Sequence, residues 1–155
     1  MIVHRPPTKW SPMMGVPTMF LAGSIEMGTA KDWQTELVSA LGKRNVTILN
    51  PRREDWDSTW RQSIEESNFR EQVEWELDGL DRADLVAMWF APETVAPITL
   101  LELGLTARND KLVVGCPDGF WRKGNIEVVC ARFGIPLTTS WAAFVAVVCA
   151  KLDQT

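Results

Sequence analysis

The chain has 155 residues, of which 46% are hydrophobic and 23% are charged, and these values are typical of one soluble globular domain. The net charge is −4 and the basic residues are scattered, which argues against nucleic acid as a partner. Three separated cysteines and a single histidine show no metal-ligand spacing, so the sequence predicts no metal site, no disulfide framework and no His-dependent triad.

Neither a signal peptide nor a membrane span is visible in the sequence. The proline-rich start is interrupted by charged residues, and no apolar run approaches the roughly 20 residues that cross a bilayer. We therefore expect a cytoplasmic protein without a membrane partner.

Short apolar runs that end in turn residues alternate with segments of helical periodicity after residue 17. We expect an irregular N-terminal arm over residues 1–17 and a single domain over residues 18–155. The predicted elements of the domain are a strand at 18–22, a helix from Thr29 to about Gly42, a strand at 46–49, a helix from about Ser67 to Arg82, a strand at 84–90, a helix from Pro97 to about Arg108, a strand at 111–115, a helix near 125–133, a short strand at 136–138 and a helix at 141–152.

Alternation of strands and helices specifies a parallel sheet with helices on both faces. We expect five strands, with the strand at 84–90 central because it is apolar on both faces. Ligands of such sheets bind beyond the carboxyl ends of the strands. The four ends with suitable residues are Gly23-Ser24, Asn50-Pro51-Arg52-Arg53, 91–97 and 117–124. None of them carries a dinucleotide or triphosphate fingerprint, so no cofactor is predicted.

Glu102 is the strongest chemical signal in the sequence. The helix around it has aliphatic residues at 98, 100, 101, 103 and 105, so we expect this helix to be buried nearly all round. A buried carboxylate is costly unless it has partners or a chemical task. The pattern alone leaves open whether Glu102 is catalytic or a structural carboxylate paired with a loop or an arginine.

Glu76 is a second candidate, on the helix before the central strand. It adjoins the predicted apolar stripe of that helix, which is formed by Phe69, Val73, Leu77 and Leu80. Most acids of the segment 71–78 are expected to face solvent. Two carboxyls on the elements that flank one strand could meet at its end, however, and retaining glycosyl transfer uses such a pair.

Taken together, the motifs resemble those of the nucleoside 2-deoxyribosyltransferase superfamily over roughly residues 18–133, and the closest match is its second large branch. The motifs that carry the resemblance are Phe20-Leu21-Ala22-Gly23-Ser24, Asn50-Pro51-Arg52-Arg53, Trp75-Glu76, Ala83-Asp84, Glu102-Leu103-Gly104 and Asn125. Each motif alone is weak, whereas their order and spacing together are fairly specific.

The resemblance implies a flavodoxin-like fold and exchange of the base on a 2′-deoxyribonucleoside, with free nucleobases as the second substrate. It places the nucleophile on Glu102 and the acidic partner on Glu76. It also implies a homo-oligomer, because members of the family complete each pocket with an Asn from a neighbouring subunit, here Asn125. Asn125 could equally cap the helix that it begins.

The sequence departs from the family at the pocket. Classical members have a Tyr near Met19 and an Asp at Ala96, and this chain contains no Tyr. A nucleotide-hydrolysing branch holds a 5′-phosphate with a Ser at the position of Ala96 and an Arg at the position of Glu26. A carboxylate at 26 would repel phosphate, so we expect a free nucleoside as substrate.

The predicted reaction is a double displacement through a glycosyl ester on Glu102, with Glu76 as proton donor. The residues expected to shape the pocket or orient sugar and base are Gly23, Ser24, Asn50, Arg52, Arg53, Trp56, Trp60 and Asn125. Two alternatives remain open: a nucleoside or nucleotide hydrolase of the same fold, and a nucleotide-binding module without turnover.

Overall fold

The structure, a computed structural model, describes residues 1–25 and 30–155. Glu26 and Thr29 lie outside the described residues. The strands are β1 Ile2–His4, β2 Thr18–Gly23, β3 Thr47–Leu49, β4 Leu85–Trp89, β5 Leu112–Gly115 and β6 Leu137–Thr138. The helices are α1 Trp33–Leu41, α2 Ser67–Arg82, α3 Pro97–Thr106, α4 Lys123–Phe133 and α5 Trp141–Leu152.

The strands form one parallel sheet in the order β1-β3-β2-β4-β5-β6, which is flavodoxin-like with an added edge strand. The parallel architecture is confirmed, and β4 is internal and buried throughout, as predicted. The predicted count of five strands is wrong, since the described residues form six. The additional strand is β1, three residues in the segment where the proline-rich sequence predicted no regular element; it pairs with β3.

Helices cover both faces of the sheet and divide the core into two clusters. One cluster places Leu37 of α1 and Phe144 of α5 against the sheet, and the other places side chains of α2, α3 and α4 against the opposite face. Among the described residues, no helix is both long and apolar enough to cross a membrane.

The starts of α1 and α4 lie at different residues from those that the sequence indicated. Helix α1 begins at Trp33, where the Asp32 carboxylate accepts a hydrogen bond from the backbone N–H of Thr35 at 3.1 Å and caps the helix. Helix α4 begins at Lys123 after Arg122, with no side-chain cap, so Asn125 lies inside the first turn and the alternative in which it caps this helix does not hold.

Helix α2 presents a different face to the core from the one that its aliphatic residues predicted. Leu77 is 43% exposed, whereas the buried positions are Gln72, Trp75, Gly79 and Leu80. The reason is Gly79, where a Cβ atom would lie 2.5 Å from the Phe20 ring of β2. Because the helix packs directly against the sheet at this glycine, Glu76, three residues earlier, lies beside the contact face.

Helix α3 is only half buried, so the expectation that it is enclosed nearly all round is wrong. Glu102 and Leu103 face the core, while Ile98, Leu101 and Leu105 are 59%, 58% and 54% exposed. The helix therefore separates a buried carboxyl on one side from an apolar stripe on the other.

Candidate active site

The candidate site lies where the chain order of the sheet reverses, since β3 and β4 flank β2 on opposite sides. The loops that follow β2 and β4 meet there at Ser24, whose side chain is buried. The Ser24 hydroxyl accepts a hydrogen bond from the backbone N–H of Ala91 at 3.1 Å and lies 2.7 Å from the Thr94 hydroxyl. Ser24 therefore joins the two loops that border the site.

Gly23 ends β2 with a φ of 153°, and its surroundings exclude a side chain. A Cβ atom at this position would lie 2.6 Å from the Trp33 ring and would also meet the backbone oxygen of Trp89. Glycine is needed here because protein atoms already occupy the space on this side of the strand.

Glu102 and Glu76 are brought together by the packing of α3 against α2. Glu102 is 7% exposed and Glu76 is partly buried. Burial raises the pKa of Glu102 to about 8, and the charge of Glu76 acts in the same direction. Burial also raises the pKa of Glu76 to about 7, against the opposing effect of a hydrogen bond from Gln72. Two interacting carboxyls with raised pKa values are suited to hold and transfer a proton near neutral pH.

Gln72 is a residue of this site that the sequence analysis missed. Its side-chain Nε2 donates to the Pro51 carbonyl oxygen at 2.9 Å and to the Glu76 carboxylate at 2.7 Å. The available signal was its position four residues before Glu76, which places both side chains on one helix face. Gln72 thus connects the carboxyl pair to the loop after β3.

Asn50 organises that loop from a buried position. Its side-chain oxygen accepts a hydrogen bond from the backbone N–H of Arg52 at 3.0 Å, and its own backbone N–H donates to His4 of β1 at 2.9 Å. The first bond forms the turn after β3 and the second fixes the edge strand beside it.

The side chains of Arg52 and Arg53 have different partners. Arg52 donates to the Ala30 backbone oxygen at 3.2 Å, with its Nε 3.5 Å from Asp32, so it extends toward the start of α1. Its Nε is buried without a hydrogen-bond partner among the described residues. Arg52 Nε is therefore paired with Asp32 by charge and donates no hydrogen bond within residues 1–25 and 30–155.

Arg53 is held by protein groups on every side. Its guanidinium donates to Asp55 at 2.7 Å and to Glu71 at 3.3 Å, and it stacks 4.9 Å from the centroid of Trp60. Because two carboxylates already neutralise its charge, Arg53 ties the 51–66 loop to α2.

Trp56 and Trp60 pack edge to face in the same loop, with their ring centroids 5.2 Å apart. The indole N–H of Trp56 is buried and has no acceptor among the described residues. The loop therefore places a second unused donor near the turn after β3.

Asn125 lies apart from these groups, with an exposed side chain in the first turn of α4. Ala96, six residues before Glu102, is buried and has a left-handed φ of 41° immediately before α3. A non-glycine residue in this conformation carries backbone strain, and here it sets the start of the helix that holds Glu102.

Two cavities open at the same edge of the described structure. One of about 670 Å³ lies between the N-terminal arm and α1 and includes Asn50, and another of about 660 Å³ includes Trp33, Trp89 and Trp141. Neither is lined by Glu102 or Glu76, so a substrate pocket around the carboxyl pair stays a prediction. In the part of the chain that the structure describes, no three His, Cys, Asp or Glu side chains are grouped as metal ligands would be.

Comparisons with known proteins identify a family and a fold. Residues 16–120 match the family described as nucleoside 2-deoxyribosyltransferase like, a range that includes Glu76 and Glu102 and ends before Asn125. A crystal structure described as a conserved protein from Enterococcus faecalis V583 has a TM-score of 0.61 at 10% identity, covering 90% of this chain and 98% of that one. That likeness concerns the fold alone. No curated protein matches the sequence.

Proposed function

We propose that this chain, which belongs to the nucleoside 2-deoxyribosyltransferase-like family, is a transferase that moves 2-deoxyribose from one nucleobase to another. The observation that carries the proposal is the pair of interacting carboxyls, Glu102 on α3 and Glu76 on α2, with pKa values raised by burial. Retaining glycosyl transfer needs one carboxyl as nucleophile and another as acid and base.

In the proposed first step, the Glu102 carboxylate bonds to C1′ of the sugar as the bond between C1′ and the base nitrogen breaks. The proton of Glu76 moves to the departing base, which leaves a glycosyl ester on Glu102 and an ionised Glu76. In the second step, Glu76 takes a proton from the incoming base, whose nitrogen attacks C1′ and displaces Glu102. Two inversions restore the β configuration.

The two carboxyls titrate as a coupled pair. The pKa of Glu76 is the lower of the two, and the charge of Glu76 is one cause of the raised pKa of Glu102, so in the free protein Glu76 ionises first while Glu102 keeps its proton. The proposed reaction needs the opposite arrangement, with Glu102 ionised and Glu76 protonated. Positive charge that develops at C1′ during bond cleavage favours that arrangement, because Glu102 is the carboxyl that bonds to C1′ in the proposed step.

The substrate would be oriented by the loop after β3. Arg52 Nε and Trp56 Nε1 are buried and donate no hydrogen bond to the described residues, although Arg52 Nε lies 3.5 Å from the Asp32 carboxylate, and a sugar hydroxyl or a base acceptor would satisfy them. The residues proposed to shape the surrounding walls are Gly23, Ser24, Asn50 and Arg53.

The direct test is incubation with deoxyadenosine and free hypoxanthine, followed by chromatography of the products. We expect deoxyinosine and adenine from the wild-type protein, and no deoxyinosine from Glu102→Ala. Glu65→Ala, which removes an exposed carboxylate from the loop before α2, is the matched control and should retain activity. Release of adenine with free deoxyribose and no deoxyinosine would replace the transferase with a hydrolase.

We further propose that the protein is a homo-oligomer in which the exposed stripe of α3 contacts a second copy. Ile98, Leu101 and Leu105 lie on one helix face and are each more than half exposed. An exposed apolar helix face of this kind is typical of an interface. The exposed Asn125 on α4 would then be available to a neighbouring subunit.

A further inference from the structure

We infer that Gln72 is a positioning residue that holds the Glu76 carboxyl in place opposite Glu102. The inference rests on the proposed function, since it assigns Glu76 a part in the reaction. It is carried by the geometry of the Gln72 amide, whose Nε2 bonds the Pro51 carbonyl at 2.9 Å and the Glu76 carboxylate at 2.7 Å.

The orientation of this amide is fixed by Pro51. A backbone carbonyl oxygen can only accept a hydrogen bond, so the side-chain nitrogen of Gln72 must face it. The second hydrogen of the same nitrogen then points at Glu76. The Glu76 carboxyl is therefore anchored, through one amide group, to the backbone of the loop after β3.

In this orientation the side-chain oxygen of Gln72 receives no hydrogen bond from the part of the chain that the structure describes. Gln72 is 5% exposed, and its Oε1 is buried without a donor among the described residues. Leaving a buried acceptor unpaired is unfavourable. An apolar residue would avoid that penalty at a core position, so the two bonds from Nε2 are what distinguishes glutamine here.

A donor that faces a carboxylate also changes its ionisation. The Gln72 hydrogen bond lowers the pKa of Glu76, which burial otherwise raises to about 7. The ionisable group that interacts with Glu76 from the neighbouring helix is Glu102 on α3. Removal of the Gln72 donor should therefore raise the pKa of Glu76, and a carboxylate in its place should raise it as well.

The experiment is a carbon NMR titration of protein labelled at the glutamate side-chain carboxyls, with the Glu76 signal identified by its loss in Glu76→Gln. We compare the wild-type protein with Gln72→Met, which removes the donor and keeps the volume, and with the nearly isosteric Gln72→Glu. The control is Gln62→Met, in an exposed part of the 51–66 loop. Transfer rates are measured for the same proteins across pH.

We expect the pKa of Glu76 to rise by about one pH unit in both variants of Gln72 and to stay unchanged in the control. The transfer kcat should fall about tenfold with KM within about twofold, and the basic limb of the rate profile should move to higher pH. An unchanged titration of Glu76 in whichever variants fold would overturn the inference. Absence of transfer by the wild-type protein would instead refute the proposed function, so the two failures are distinguishable.

Discussion

Replacing Glu102 with glutamine should make the protein more stable at pH 8 while abolishing transfer. The pKa of Glu102 is raised from 4.5 to about 8 by burial and by the charge of Glu76. The folded state therefore favours the neutral carboxyl. The stability that the neutral Glu102 carboxyl contributes is fully present below pH 4.5 and is lost as the pH rises toward 8.

The size of this effect follows from the two pKa values. Each pH unit between them corresponds to 1.36 kcal/mol, so ionisation of Glu102 would cost the folded protein up to about 4 kcal/mol at pH 8. Because part of the raised value comes from Glu76, which itself titrates in this range, we expect between about 2 and 4 kcal/mol. Glutamine keeps the shape of the side chain and removes the charge.

The assay is urea unfolding followed by tryptophan fluorescence, at pH 5 and pH 8 and at one protein concentration. The stability difference between Glu102→Gln and the wild-type protein should grow by about 1–3 kcal/mol between the two pH values, because about 0.8 kcal/mol of the full effect is already present at pH 5. Glu65→Gln, at an exposed position, should show no such change. If the difference for Glu102→Gln is the same at both pH values, the carboxyl is not desolvated and the argument fails.

Three other expectations concern the pair, the packing of α2 and the substrate. Glu76→Gln should remove the basic limb of the pH profile and shift the acidic limb to lower pH, because Glu102 loses a neighbouring negative charge; a profile with both limbs in place would contradict the assignment. Gly79→Ala should cost about 1–3 kcal/mol in unfolding experiments because its Cβ would lie 2.5 Å from Phe20, whereas Gly124→Ala, with open space around it, should cost nothing. Initial rates should be lower with adenosine than with deoxyadenosine, since a 2′-hydroxyl hinders cleavage at C1′. Rates should also be lower with deoxyadenosine monophosphate than with deoxyadenosine. A clear preference for the monophosphate would favour a nucleotide hydrolase.

The sequence was sufficient to predict the parallel sheet because short apolar runs alternate with helical segments. It was insufficient for the edge strand, since three residues among prolines carry no periodic signal, and for the orientation of α2. The aliphatic stripe of that helix pointed to Leu77, whereas the sheet contact is set by Gly79, whose missing side chain admits Phe20. A hydrophobicity pattern cannot predict a close contact that is possible only because glycine has no side chain.

The same limit applies to the candidate site. Glu102 stood out because a carboxylate among aliphatic residues is unusual at any position of a helix. The roles of Gln72 and Arg53 depend on partners that are distant in sequence, such as Pro51 and Glu71, and only the folded chain brings these together. The adjacent arginines of one motif consequently have unrelated surroundings.

The two sides of α3 lead to one last prediction. Leu101 lies on the exposed stripe, on the side of α3 opposite the buried Glu102. If a second copy covers the stripe, the proposed site also depends on assembly, because the exposed Asn125 would then be offered to a neighbouring subunit. Leu101→Asp should then produce monomers in sedimentation and lose most of its transfer activity, although Leu101 is not assigned to the reaction. Ile64→Asp, at a residue that is 75% exposed in the 51–66 loop, is the control and should change neither property. A fully active monomer of the Leu101 variant would refute the link between assembly and catalysis, and a fully active wild-type monomer would refute the proposed oligomer.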